Sequence, residues 1–167
     1  TVKVTATPQD VLRFLDQEPL YKQFKLNEPW DSEHNRTLLG KMPDLYREVD
    51  DPPDSTTTRV LTFTGPNTAF PGGVGIRIPD MRDGTWCTIL LVRAGKEKAV
   101  PWTKPEDVAF DESAPRGGCG VRSGEVLLAV IADISVRQLS PSIPNDVFKA
   151  LVAPAGGETL DQIQLQE

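Results

Sequence analysis

Apolar residues fall into a few short clusters separated by long polar stretches rich in glycine and proline. Residues 1–6, TVKVTA, alternate polar and apolar and predict a short strand. TPQD then opens a helix, with Thr7 as cap, Pro8 in the first helical position and Asp10 three residues after the cap. Val11, Leu12, Phe14 and Leu15 give that helix an apolar face to about Glu18, where Pro19 ends or kinks it. Leu20, Tyr21 and Phe24 extend the apolar surface. A second helix is predicted to run to about Lys41, capped by Asp31 or Ser32. Leu38, Leu39 and Met42 form its apolar face, Gly40 offers a left-handed exit, and Pro43 blocks a further turn.

Downstream the pattern changes. Residues 57–64 predict a strand with Val60, Leu61 and Phe63 as its apolar members. CTILLVRA (87–94) predicts a strand whose unbroken apolar run suits burial on both faces. EVLLAVIADISVRQLS (125–140) reads as two strands, 126–132 and 135–139, around Asp133–Ile134. A two-residue hairpin turn wants positive φ at its second position, which Ile134 resists, so this turn is expected to be strained or longer. Pro144 opens a last helix with Val147, Phe148, Leu151 and Val152 toward the core, ended by Gly156–Gly157; the tail with Leu160, Ile163 and Leu165 is ambiguous. Loops are predicted at 50–55, 65–75 and 103–120, with a turn at 79–84. The sum is an α+β domain over 1–167: a mostly antiparallel sheet packed on the N-terminal helix, with Val11, Phe14 and Leu15 buried.

Composition narrows the function classes. The chain has 167 residues, enough for one domain with a core, and its 15 prolines and 13 glycines fit the long loops. A net charge of -6 without a block of Lys or Arg argues against nucleic acid and against an anionic membrane. No apolar run approaches the roughly 18 residues of a membrane span, and no signal-peptide pattern is present. Because the chain begins with Thr1, a fragment or processed product is expected.

Candidate chemistry is sparse. His34 is the single histidine, and no Gly-x-Ser-x-Gly elbow accompanies it. The 24 acidic residues offer many carboxylate pairs, none singled out, so a hydrolase is disfavoured. The glycine-rich loops lack the Lys-Ser/Thr ending of a phosphate loop. Asp80 and Asp83, beside Gly84, could hold calcium, without EF-hand spacing; a plain turn is the alternative. Trp30, Trp86 and Trp102 lie in loops, where they either contact a ligand such as a sugar ring or pack into the core. Cys87 and Cys119 either bridge in an oxidising compartment or stand as buried thiols, and neither belongs to a C-x-x-C pair. A bridge would close a loop of about 30 residues, worth roughly 3 kcal/mol, and needs Cα atoms within about 7 Å.

Five segments in order carry a resemblance: LYKQFKLNEPWDSEHNRTLLGKMPDLYR, GPNTAFPGG, DMRDGTWCTILLV, AVPWTKPEDVAFD and ADISVRQLSPSIPNDVFKALVAPAGGE. Together, from about Leu20 to Glu158, they resemble the large planctomycete family of prepilin-like proteins of unknown function. Its members carry similar "PWDS…N…L", "GPGTAF", "DGTSNTILV" and "AVPWTKPED" segments and a closing His-x9-Asp-Gly signature. The signature is degenerate in this chain: Ser123 stands in place of the histidine before Asp133, Ile134 replaces the turn glycine, and Trp86–Cys87 replaces Ser-Asn. The histidine's role is therefore not carried over, and the usual hydrophobic pilin helix is not expected within these 167 residues. Both cysteines stand where the family does not usually have them, and their joint arrival suits a disulfide.

The resemblance implies a pilin-like globular head exported by a type II secretion or type IV pilus-like system. A non-catalytic, extracytoplasmic role in assembly or binding follows, with other pilin-like or surface proteins as partners, and polysaccharide as a further candidate. No cofactor beyond possible calcium is implied. It also favours a scaffold role for Trp30. The alternative is an extracellular carbohydrate-binding module using the loop tryptophans.

Overall fold

The computed structural model describes residues 8–49, 51–72, 76–120 and 126–157. The strand expected at 1–6, the Thr7 cap, Ser123 and the tail at 160–165 lie outside them. In chain order the described α-helices are α1 Pro8–Val11, α2 Glu18–Tyr21, α3 Glu33–Arg36 and α4 Asn145–Val152. The strands are β1 Thr57–Thr58, β2 Val60–Leu61, β3 Phe63–Thr64, β4 Ile89–Arg93, β5 Val100–Pro101, β6 Val108–Ala109, β7 Leu127–Ile131 and β8 Val136–Leu139. Helices and mostly antiparallel pairings place the chain in the mixed α+β class. The described residues divide into two compact units: one takes those from Pro8 to Arg59 with Ala99–Glu106, the other those of Val60–Lys98 and from Asp107 to Gly157.

In the first unit the expected helix at 8–18 is broken. After α1 the chain tightens into a 3-10 turn, Leu12–Phe14, and Asp16 takes a left-handed conformation (φ 55°), which a short polar side chain tolerates. The break rotates the apolar face. Leu12 is fully buried, whereas Val11 is 41% and Phe14 85% exposed. The expected burial of Val11 and Phe14 is thus corrected, and α1 and the four-stranded sheet belong to different units. Pro19 starts α2 rather than ending a helix, because its missing N–H is not needed in a first turn.

The expected helix at 31–41 also splits. Ser32, not Asp31, caps α3 by accepting from Asn35 N at 3.1 Å, and a 3-10 turn, Leu39–Lys41, follows. Leu12, Leu20, Phe24, Leu38, Met42 and Trp102 close over one another as the core of this unit.

In the second unit β2, β4, β7 and β8 form an antiparallel sheet in that order. Leu61, Ile89, Val92, Leu127, Ala129, Ile131 and Leu139 are buried, as are Phe148, Leu151 and Val152 of α4. Phe63 meets Phe148 edge to face at 5.9 Å between ring centres. The expected single strand at 57–64 is three short pieces with three partners: β1 pairs with β5, β2 with β4, and β3 with β6. The last pairing is parallel. Thr62 marks one break, because its N–H donates to the Asp107 carboxylate instead of a strand.

Two further expectations change. Cys87 lies in a 3-10 turn, Thr85–Cys87, ahead of β4, and β4 buries only Ile89 and Val92, its other three residues being half-buried, with a register shift between Ile89 and Leu91. The β7–β8 hairpin is the longer, strained kind. Ile131 N donates to Ser135 O and Ile134 N to Ile131 O, giving a three-residue loop with Ile134 left-handed at φ 69°.

Candidate functional site

The three tryptophans have three different environments. Trp102 is fully buried, edge to face with Phe24 at 5.8 Å and tilted over Tyr46 at 5.5 Å. Its Nε1 donates to Leu39 O at 2.9 Å. It is a core residue, and its candidacy as a ligand contact is withdrawn. Trp30 is half-buried rather than buried, with the Lys104 ammonium 6.0 Å from its ring centre. Trp86 is half-buried in the turn before β4, and its ring lies against Gly84 so closely that a Cβ there would sit 2.8 Å from Cδ1. That contact and a φ of 102° both require glycine.

The residue that organises the PWDSEHN stretch is Asn35, which sequence reasoning missed. Its buried amide accepts from Lys25 N at 3.0 Å and donates to Lys25 O at 3.1 Å and Pro29 O at 2.9 Å. A motif that reads as a helix start is therefore also a loop clamp. His34 Nε2 donates to Gln23 O at 2.8 Å.

Asp80 and Asp83 face different partners. The Asp80 carboxylate accepts from Arg77 Nε and Nη2 and from Arg77 N, and the Arg77 hydrogen bond holds it below the usual carboxylate range. Asp83 accepts from Gly156 N at 2.6 Å and Gly157 N at 3.0 Å, so it fills a small backbone nest itself. Among the described residues no three His, Cys, Asp or Glu side chains converge as a set of metal ligands.

The two cysteines are separate buried thiols, so of the two alternatives the free thiols stand and the disulfide does not. Cys119 bridges Ala94 just past one end of β4, whereas Cys87 precedes the other end at Ile89. Five residues of strand separate those ends by roughly 16 Å, too far to join. Cys87 Sγ donates to Asp83 O at 2.9 Å, and burial pushes its thiol up. Burial pushes the Cys119 thiol up to about 12. The glycines around Cys119 are steric: a Cβ on Gly118 would meet Val108 Cγ1, and one on Gly120 would meet Ala94 O.

One groove of about 470 Å³ opens in the second unit. The GPNTAFPGG loop brings Pro66, Asn67, Thr68 and Pro71 to it; the segment after β6 brings Phe110 and Glu112; α4 and its exit bring Lys149 and Ala153–Gly156. Each wall is fixed locally. Thr68 Oγ donates to Gly65 O and accepts from Phe70 N, Phe110 stacks edge to face on Phe63 at 5.4 Å, and Asp83 pins Gly156. Asn67 Nδ2 reaches Glu112 Oε1 at 3.4 Å. None of these polar groups announces itself in the sequence, because Gly and Pro spacing shows that 65–75 is a loop but not what the loop faces. The chain matches no protein-family model, no curated protein and no solved structure.

Proposed function

We propose that the protein is a non-catalytic, extracytoplasmic, pseudopilin-like head that acts in assembly or binding at the cell surface, with other pilin-like or surface proteins as partners. The observation that carries this reading is how the loops are held. Side chains of Asn35, Thr68, Asp83 and Asp107 each clamp irregular backbone into one shape, so long loops present fixed surfaces. Preorganised loops on a small sheet suit recognition, since little ordering entropy is left to lose on binding. The ordered resemblance of five segments to prepilin-like proteins supports the same reading.

The test is made on cells that carry the native gene. Antibody labelling and protease shaving of intact cells are expected to reach the protein, and cross-linking is expected to join it to pilin-like or other surface proteins. Recovery only from the cytosolic fraction sinks the reading.

A further inference from the structure

We infer that the groove between the 65–72 loop and the exit of α4 is a binding site for a saccharide. Its volume of about 470 Å³ falls in the range of small-molecule sites. Its polar groups retain unused capacity. Asn67 spends one amide hydrogen on a long bond to Glu112 and keeps its second hydrogen and its carbonyl oxygen. Glu112 keeps its other oxygen. Lys149 also lines the groove; its ammonium carries three donors and interacts with the Asp111 charge. One donor, one acceptor and one amide that is both come from three separate segments, and Asp80, whose carboxylate is held by Arg77, lines the groove beside them. Between them lie the ring of Phe110 and the prolines at 66, 71 and 154.

That combination matches a polyhydroxylated ring. Each hydroxyl donates and accepts, and the C–H faces of the ring pack on apolar walls. Other small ligands fit worse. A lipid chain would leave the three polar groups desolvated and unpaired. A nucleotide would want concentrated positive charge, which a single lysine does not supply. A small zwitterion such as a free amino acid would depend on exposed charges, and such pairs contribute little in water. The aromatic contact is Phe110, so the site differs from one built on the loop tryptophans.

The experiment is an amide chemical-shift titration of the whole 167-residue chain with cellotetraose, chitotetraose, tetragalacturonate and, as the zwitterionic comparison, glycylglycine. At least one saccharide is expected to bind with an affinity of order millimolar. Its shifts should centre on residues 67–68, 110–112, 149–153 and 155–156. Asn67→Ala and Glu112→Gln, both on exposed side chains, should each weaken that binding about fivefold while leaving Tm unchanged. The inference is overturned if no saccharide shifts these residues, if the shifts centre on Trp30 or Trp86, if glycylglycine alone binds, or if both variants bind as the parent does.

Discussion

Trp102 Nε1 donates to the carbonyl of Leu39 at 2.9 Å, joining residues 63 positions apart inside a fully apolar cluster. The bond pairs a polar atom that burial would otherwise strand, and the ring fills the space between Phe24 and Tyr46. Trp102→Ala is expected to cost about 3–5 kcal/mol in urea denaturation. Trp30→Ala, at a half-buried ring, should cost far less. Equal losses for the two variants would mean that the core is placed wrongly.

Asn35 makes a second test of the same unit. Its amide serves as both donor and acceptor to Lys25 and as donor to Pro29, so Asn35→Ala removes the partner of three partly buried backbone groups. A loss of about 2–3 kcal/mol is expected. Asn35→Asp should be worse at neutral pH than in acid, because a carboxylate can donate to neither carbonyl whereas a protonated carboxyl can donate to one of the two. Stability that is independent of pH in that variant contradicts the hydrogen-bond pattern.

The β7–β8 turn holds a β-branched residue at φ 69°, with its side chain 75% exposed. Little packing is lost if it is removed. Ile134→Gly is expected to stabilise the chain by about 0.5–1 kcal/mol, after allowing for the greater freedom glycine gives the unfolded chain. Thermal unfolding of the variant and parent side by side measures it, and a lower midpoint for the variant refutes the assignment of strain.

The thiols predict a chemical result and a pH dependence. Mass spectrometry of non-reduced protein should find both Cys87 and Cys119 free, and Cys119 should react with a thiol reagent only after unfolding. The sign of the pH effect follows from protons bound. The folded state keeps the Cys119 proton to about 12, while the unfolded chain loses it near its ordinary value of 9.0. The unfolded state therefore binds fewer protons above 9, and stability falls as pH rises from about 9 toward 12. Cys119→Ala should flatten that alkaline slope; an unchanged slope removes Cys119 as its cause.

The sequence by itself determined the α+β class, the strands at 87–94, 126–132 and 135–139 to within two residues, the closing helix and the awkward turn at Ile134. Each rests on local chemistry: apolar runs, Pro at a helix start, and the poor fit of a β-branched residue to positive φ. Only the tertiary structure decided the rest. Trp30 and Trp102 are both aromatics in loops, and only the distant positions of Phe24, Leu39 and Tyr46 make Trp102 the core residue. The continuous pattern at 57–64 carries no sign that its residues pair with β5, β4 and β6 in turn. Phe14 follows the helical period and still faces solvent, because the backbone tightens at Leu12 and reverses at Asp16. The thiols stand apart because β4 runs between them, and Asn67, Glu112 and Lys149 share a groove because two loops and α4 converge. Periodicity reports which residues prefer to be buried, whereas long-range pairing decides which of those preferences are met.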